Sequence, residues 1–179
     1  MAGFIYHLKP PSLRGDELLP LNQLRVRHPA LYDEAFQKYL GREHLTEVKL
    51  PRLNCLWNDV LHFAPIHPSL IRKALSAMSS SPILDRMWLK IPVSALSGLP
   101  AVYFDSPPSV YGGNYDFEET CFRDFRIEEY SELRDLPKRT LEYYREQLEQ
   151  EKRPLLFNGV THVLVKGMVS VVKAEEFVW

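Results

Sequence analysis

The stretch CLWNDVLHFAPIHPSLIRKAL, Cys55 to Leu75, decides how the chain is read. Leu61 and Phe63 alternate as a short strand does, Pro65 and Pro68 punctuate the run, and Leu70, Ile71, Ala74, Leu75 and Met78 follow helical spacing. The local prediction is strand, turn, helix, with Pro68 opening the helix. His62 and His67 flank the turn, and Asn58 and Asp59 stand just upstream, so the turn is also the first place to look for chemistry. The first turn of a helix leaves its amide donors unpaired and carries the positive end of the dipole, which suits an anionic group such as a pyrophosphate. His67 at the mouth of that helix is either the edge of a site or simply its cap.

Working outward, GFIYHL (Gly3 to Leu8) is a strand of aromatic and branched residues closed by Lys9-Pro10-Pro11, where the prolines cannot continue a ladder. The spacing of Leu31, Ala35, Phe36 and Tyr39 predicts a helix with Pro29 in its first turn and Gly41 at its end. LTEVKLPRLN is expected to be a connector, and AMSSSPILD a serine-rich loop after the helix that Pro68 opens. MWLKIPV and LPAVYFD are further strands joined by SALSG, PPSVYGGNYD is a loop, and a strand is expected around Thr120 to Phe125. LPKRTLEYYREQLEQEKRP is a helix entered at Pro137, with Leu141, Tyr144 and Leu148 as its buried stripe and Pro154 beyond its end. The closing VTHVLVKGMVSVVKAEEFVW holds two branched runs around Lys166-Gly167, which predicts a hairpin or a bulged long strand. Helices early and short, irregularly spaced strands late argue for α+β with a mixed or antiparallel sheet.

A chain of 179 residues is most economically one domain. Its 22 Lys+Arg against 23 Asp+Glu argue against strong nonspecific binding to nucleic acid, so such a partner would meet a local patch. Two cysteines, Cys55 and Cys121, are too few for a disulfide framework and point to a reducing, cytoplasmic setting. The opening MAGFIYHLKPP lacks the build of a signal peptide, and no apolar run approaches the roughly 20 residues that span a bilayer. No membrane partner is expected.

There is no glycine-rich phosphate loop, no paired-cysteine metal set and no Gly-x-Ser-x-Gly elbow, so chemistry has to be sought in scattered residues. His28 and His44 lie in polar contexts and read as surface residues. His7, His62, His67 and His162 lie on or beside predicted strands, where a buried ring must find a partner. Converging, the four could hold a metal, but the five-residue step from His62 to His67 is not the helical spacing that puts two rings on one face. SVYGGNYDF (Ser109 to Phe117) could stack on a base or a nicotinamide ring, or be a surface turn held by tyrosine packing.

The order of these segments resembles the ADP-ribosyltransferase-like superfamily, and within it the DarT-type toxins that modify DNA using NAD. IYHL (Ile5 to Leu8) resembles the family's opening Tyr-His-Ile-Thr. VLHFAPIHPSL (Val60 to Leu70) is similar to its Val-Pro-Phe-Tyr-Phe-x-Pro-Arg-Ser-Pro-Met-Leu segment, GLPAVYFD (Gly98 to Asp105) to its Leu-Pro-Phe-Val-Phe-Thr-Asp strand, and THVLVKG (Thr161 to Gly167) falls where the family has Ala-Glu-Phe-Leu-Val. The resemblance implies one domain over residues 1–179, a mixed or antiparallel central sheet with flanking helices, NAD as cofactor and a nucleic acid as acceptor. It assigns Tyr6, His7, Asn58 and Tyr103 to the cofactor, and His162, His67 and Asp59 to catalysis. Two positions depart from the family. Ile66, with His67 beside it, stands in place of the arginine, for which Arg52 or Arg72 is the available replacement. His162 stands in place of the catalytic glutamate, with Glu175 and Glu176 as later carboxylates. A histidine can act as base but stabilises a developing sugar cation less than a carboxylate does. The alternative implied by these departures is a nucleotide- or nucleic-acid-binding module of the same fold.

Overall fold

The computed structural model describes residues 3–11, 13–41, 43–105 and 117–179, so the tyrosine- and glycine-rich loop at 107–116 lies outside the described residues. The chain opens with strand β1 (Phe4–Leu8), then a short β2 (Glu17–Leu18) and helices α1 (Leu21–Arg27) and α2 (Pro29–Phe36). Where the spacing predicted one helix entered at Pro29, the structure adds a separate helix before it. Pro29 has no N–H to continue α1, and it pushes His28 out of helical geometry, to φ −144° and ψ 71°. The expected connector holds a two-rung hairpin, β3 (Lys49–Leu50) with β4 (Cys55–Leu56).

The deciding stretch folds as read, into β5 (Val60–Phe63) and α3 (Pro68–Met78). β6 (Met87–Pro92) and β7 (Ala101–Phe104) follow, joined by a 3-10 turn at Val93–Leu96. The strand expected over Thr120 to Phe125 shortens to β8 (Phe122–Asp124), because Glu119–Cys121 form a 3-10 turn. Helix α4 (Lys138–Glu149) buries Thr140 and Tyr144 and leaves Leu141 and Leu148 half-buried. The closing segment is neither a hairpin nor one long strand. β9 (His162–Lys166) turns at Gly167 (φ 108°), β10 (Val169–Ser170) pairs with β2, and β11 (Glu175–Val178) pairs with β6.

The result is a mixed α/β fold with four α-helices among the described residues and two larger antiparallel sheets. One has the order β1-β6-β11 and the other β5-β9-β7-β8. They meet where Tyr6 and Ala64 exchange both backbone hydrogen bonds, each 2.9 Å. Ile5, Leu89 and Ile91 from the first sheet and Phe63, Val163 and Val165 from the second close one core between them. Trp88 faces the other way, into a core with Ile71 and Leu75 of α3, Tyr144 of α4 and Trp179. Val60, Val102, Phe104 and Leu164 face a third core with Leu50 and Phe122.

The start of α4 is held down at Gly159 (φ 76°), where a Cβ would stand 2.9 Å from Thr140 Oγ1 and 3.1 Å from Arg139 Cγ. Arg139 Nε donates to the Gly159 carbonyl at 2.7 Å. Both the left-handed backbone and the close approach require glycine. We therefore expect Gly159→Ala to cost about 1–3 kcal/mol in urea unfolding; unchanged stability would show that this approach constrains nothing.

Candidate functional site: a histidine-lined cavity at the junction of the two sheets

Successive side chains on a strand point to opposite faces, and β1 uses this to divide the expected cofactor residues. Tyr6 is 2% exposed and turns toward α3. Its hydroxyl donates to Glu132 Oε2 at 2.8 Å, while the Phe4 amide donates to Glu132 Oε1 at 2.9 Å. The Tyr6 ring meets His67 edge-on at 5.0 Å, and His67 in turn stacks on Phe177 at 5.0 Å. His67 caps α3: the Ser69 amide donates to its Nδ1 at 3.2 Å, and the Ser69 hydroxyl lies 2.7 Å from the same nitrogen. Burial, reinforced by the Glu132 carboxylate, holds the Tyr6 phenol above its ordinary value.

His7 points the other way, into a cavity of about 450 Å³ between the β1–β5 junction and the helices α1 and α2. His62, Trp57, Tyr39 and Leu61 also line it, with Lys38, Arg14, His28 and Glu17 as its polar members. Leu21 and Leu24 of α1 and Leu31 and Ala35 of α2 close the apolar side. His7 Nδ1 lies 2.6 Å from the Leu8 carbonyl, which can only accept. The proton of the neutral ring therefore sits on Nδ1 and leaves Nε2 as a base or acceptor.

Burial pushes the His7 imidazole down to about 4, and Lys38 adds to this against the opposing pull of the Leu8 carbonyl. Burial, and then the neighbouring His162 and Lys38, hold the His62 imidazole well below its ordinary value. Its ring packs against Trp57 at 4.4 Å and meets the edge of His162 at 6.4 Å. His162 does not line the cavity. It lies behind His62, also brought down to about 4 by burial, with the Val160 main chain and the Asp105 carboxylate opposing. At neutral pH all three rings are uncharged and poor at neutralising an anion. Lys38 and Arg14 supply the positive charge.

The other expected residues lie elsewhere. Asp59 accepts from Asn22 Nδ2 at 2.7 Å and from the Leu56 amide at 2.8 Å, closing the turn Trp57–Asp59 rather than facing His67. Asn58 is 2% exposed beside it, and its Oδ1 has no partner among the described residues. Tyr103 packs on Phe125 at 5.2 Å with the Arg123 guanidinium over its ring, away from the cavity. Arg52 pairs with Asp124 at 2.7 Å and Arg72 with Asp85 at 2.8 Å, so neither turns inward to replace the absent arginine. Ile66 is fully buried against the helices. Glu175 and Glu176 pair with Lys90 and Lys9 on the three-stranded sheet. Among the described residues no three His, Cys, Asp or Glu side chains converge to hold a metal ion.

Sequence reasoning missed Lys38, Arg14 and Glu17, whose local contexts carry no signal of a cavity. It set His28 aside as a surface residue, and His28 is indeed exposed, at the cavity wall. Among the described residues no helix is long and apolar enough to cross a membrane. No family model, curated protein or solved structure matches this chain.

The neutral imidazoles make stability pH-dependent. His7 and His162 hold folded values of about 4, below the unfolded value of about 6.5, so between these limits the unfolded chain binds more protons. Their contribution is complete above pH ~6.5 and is lost as pH falls toward ~4. Urea titrations across this window should show His7→Gln flattening the pH slope by up to about 1 kcal/mol per pH unit, after discounting for partial exposure. A slope identical to that of the unmodified chain would contradict the assignment.

Proposed function

We propose that the chain binds NAD in the His7–His62 cavity and acts as an ADP-ribosyltransferase-like enzyme with an atypical active site, in which His62 faces the cavity and His162, at the position of the family's glutamate, stands behind it. The observation that carries this reading is the cavity itself. It combines neutral imidazoles, aromatic and apolar walls, and two cations within about 450 Å³ at the junction of two antiparallel sheets. That volume falls in the range of about 300–1,000 Å³ typical of small-molecule sites. The donor set fits the group: Trp57, Tyr39 and Leu61 suit a flat ring, and Lys38 and Arg14 suit a pyrophosphate.

When bound, NAD supplies an N-glycosidic bond whose cleavage releases nicotinamide with the bonding electron pair. The chain's own part is positioning and proton movement. His7, with its proton fixed on Nδ1 by the Leu8 carbonyl, offers Nε2 as an acceptor. His62 is the base for an acceptor hydroxyl, its ring packed on Trp57 with the edge of His162 behind it. Leu21 and Leu24 of α1 and Leu31 and Ala35 of α2 give the cavity one apolar side. Glu17 is the carboxylate at the cavity wall, 3.7 Å from Arg27.

A second reading, a nucleotide-binding module without transfer chemistry, is favoured by one observation. His162, at the position of the family's glutamate, stands behind His62 instead of lining the cavity. The two readings share NAD binding and part on turnover. In calorimetric titration with NAD, His7→Ala should weaken binding by about tenfold, the loss of one buried polar contact. His67→Ala, away from the cavity, should leave binding intact and cost only about 1 kcal/mol of stability as a lost helix cap. Nicotinamide release that falls about a hundredfold or more in His62→Ala supports the enzyme. Binding without release supports the module, and no binding at millimolar NAD rejects both.

A further inference from the structure

A second cavity, of about 830 Å³, lies between the C-terminal ends of α3 and α4. The Ser79–Ser81 run forms part of its rim, so the serine-rich loop noted in the sequence has a place in the structure. Leu75, Met78, Ile83, Leu148 and Leu156 supply its apolar lining. Arg86, Lys152 and Arg153 also line it, with Glu151 as the carboxylate among its charged members.

Neither Arg86 nor Arg153 has an ion-pair partner among the described residues, whereas Arg52, Arg72, Arg123 and Arg139 all do. Burial first, and the neighbouring Arg153 charge second, hold the Arg86 guanidinium below its ordinary value. The two helix C-termini contribute about half a negative charge each, and Glu151 one more. Three cations therefore still leave the cavity about one charge positive. Two guanidiniums and serine hydroxyls lining one cavity suit phosphate oxygens, and its aliphatic residues suit an apolar body.

We propose that this cavity binds a small organic phosphate monoester, its phosphate between Arg86 and Arg153 and its apolar body against Leu75, Ile83 and Leu148. The site is separate from the His7–His62 cavity and does not depend on the reading of that cavity. The Trp179 indole reports on it, because Trp179 lines the cavity and its Nε1–H donates to the Leu84 carbonyl at 3.0 Å.

The test is a titration of the ¹⁵N-labelled chain with phenyl phosphate, followed at the Trp179 indole signal, with inorganic phosphate and phenol as controls. A saturable shift is expected with phenyl phosphate, and binding at least about tenfold weaker with either control, since each supplies only half of the recognition. Arg153→Glu, at an exposed position that tolerates substitution, should abolish the shift, and Arg86→Gln should weaken it by about tenfold or more. The proposal is overturned by the absence of a saturable shift, by a control that binds as tightly as phenyl phosphate, or by undiminished binding in Arg153→Glu.

Discussion

The structure depends on one junction, the pair of backbone hydrogen bonds between Tyr6 and Ala64 that joins the three-stranded sheet to the four-stranded one. Two such bonds contribute only about 1 kcal/mol each. The six side chains that close the core beside them, Ile5, Phe63, Leu89, Ile91, Val163 and Val165, are at most 1% exposed and contribute roughly 2 kcal/mol apiece. Burial therefore supplies the stability and the hydrogen bonds fix the register. The register matters because a slip of one residue would exchange the faces of β1, moving His7 out of the cavity and Tyr6 into it.

Alternation then sorts the chemistry. On one face Tyr6, Glu132, His67 and Phe177 form a satisfied cluster that fastens the start of α3 and the chain around Glu132 to β1. On the other, His7 and His62 are desolvated without a carboxylate partner and stay neutral at pH 7. The same burial that makes these rings costly in acid keeps them unprotonated at pH 7 and lowers their proton affinity, so the cost in stability and the neutral state of the cavity have one cause.

Elements whose pattern is local could be read from the sequence. The strand at Leu61 and Phe63, the helix opened by Pro68 and the helix entered at Pro137 all formed as the spacing predicts. What could not be read is non-local. β10 pairs with β2 across most of the chain, two residues on each side, too short for any period to show. β11 shows two exposed glutamates, and its strand character comes from pairing with β6. The site follows the same rule. His7 and His62 were visible as polar rings on strands, but which face each occupies was fixed only by the Tyr6–Ala64 register. Lys38, Arg14 and Glu17 reach the cavity from segments whose own sequence marks them as solvated.

The central claim is that NAD meets His7 and His62, and not the His67 cluster on the opposite face of β1. Isotope-edited nuclear Overhauser spectroscopy on the chain labelled with ¹³C at histidine, with NAD at saturating concentration, tests it most directly. The account predicts cross-relaxation from the nicotinamide protons to the His7 and His62 rings and none to His67. Contacts to His67, or none to any histidine while NAD is bound, would contradict it.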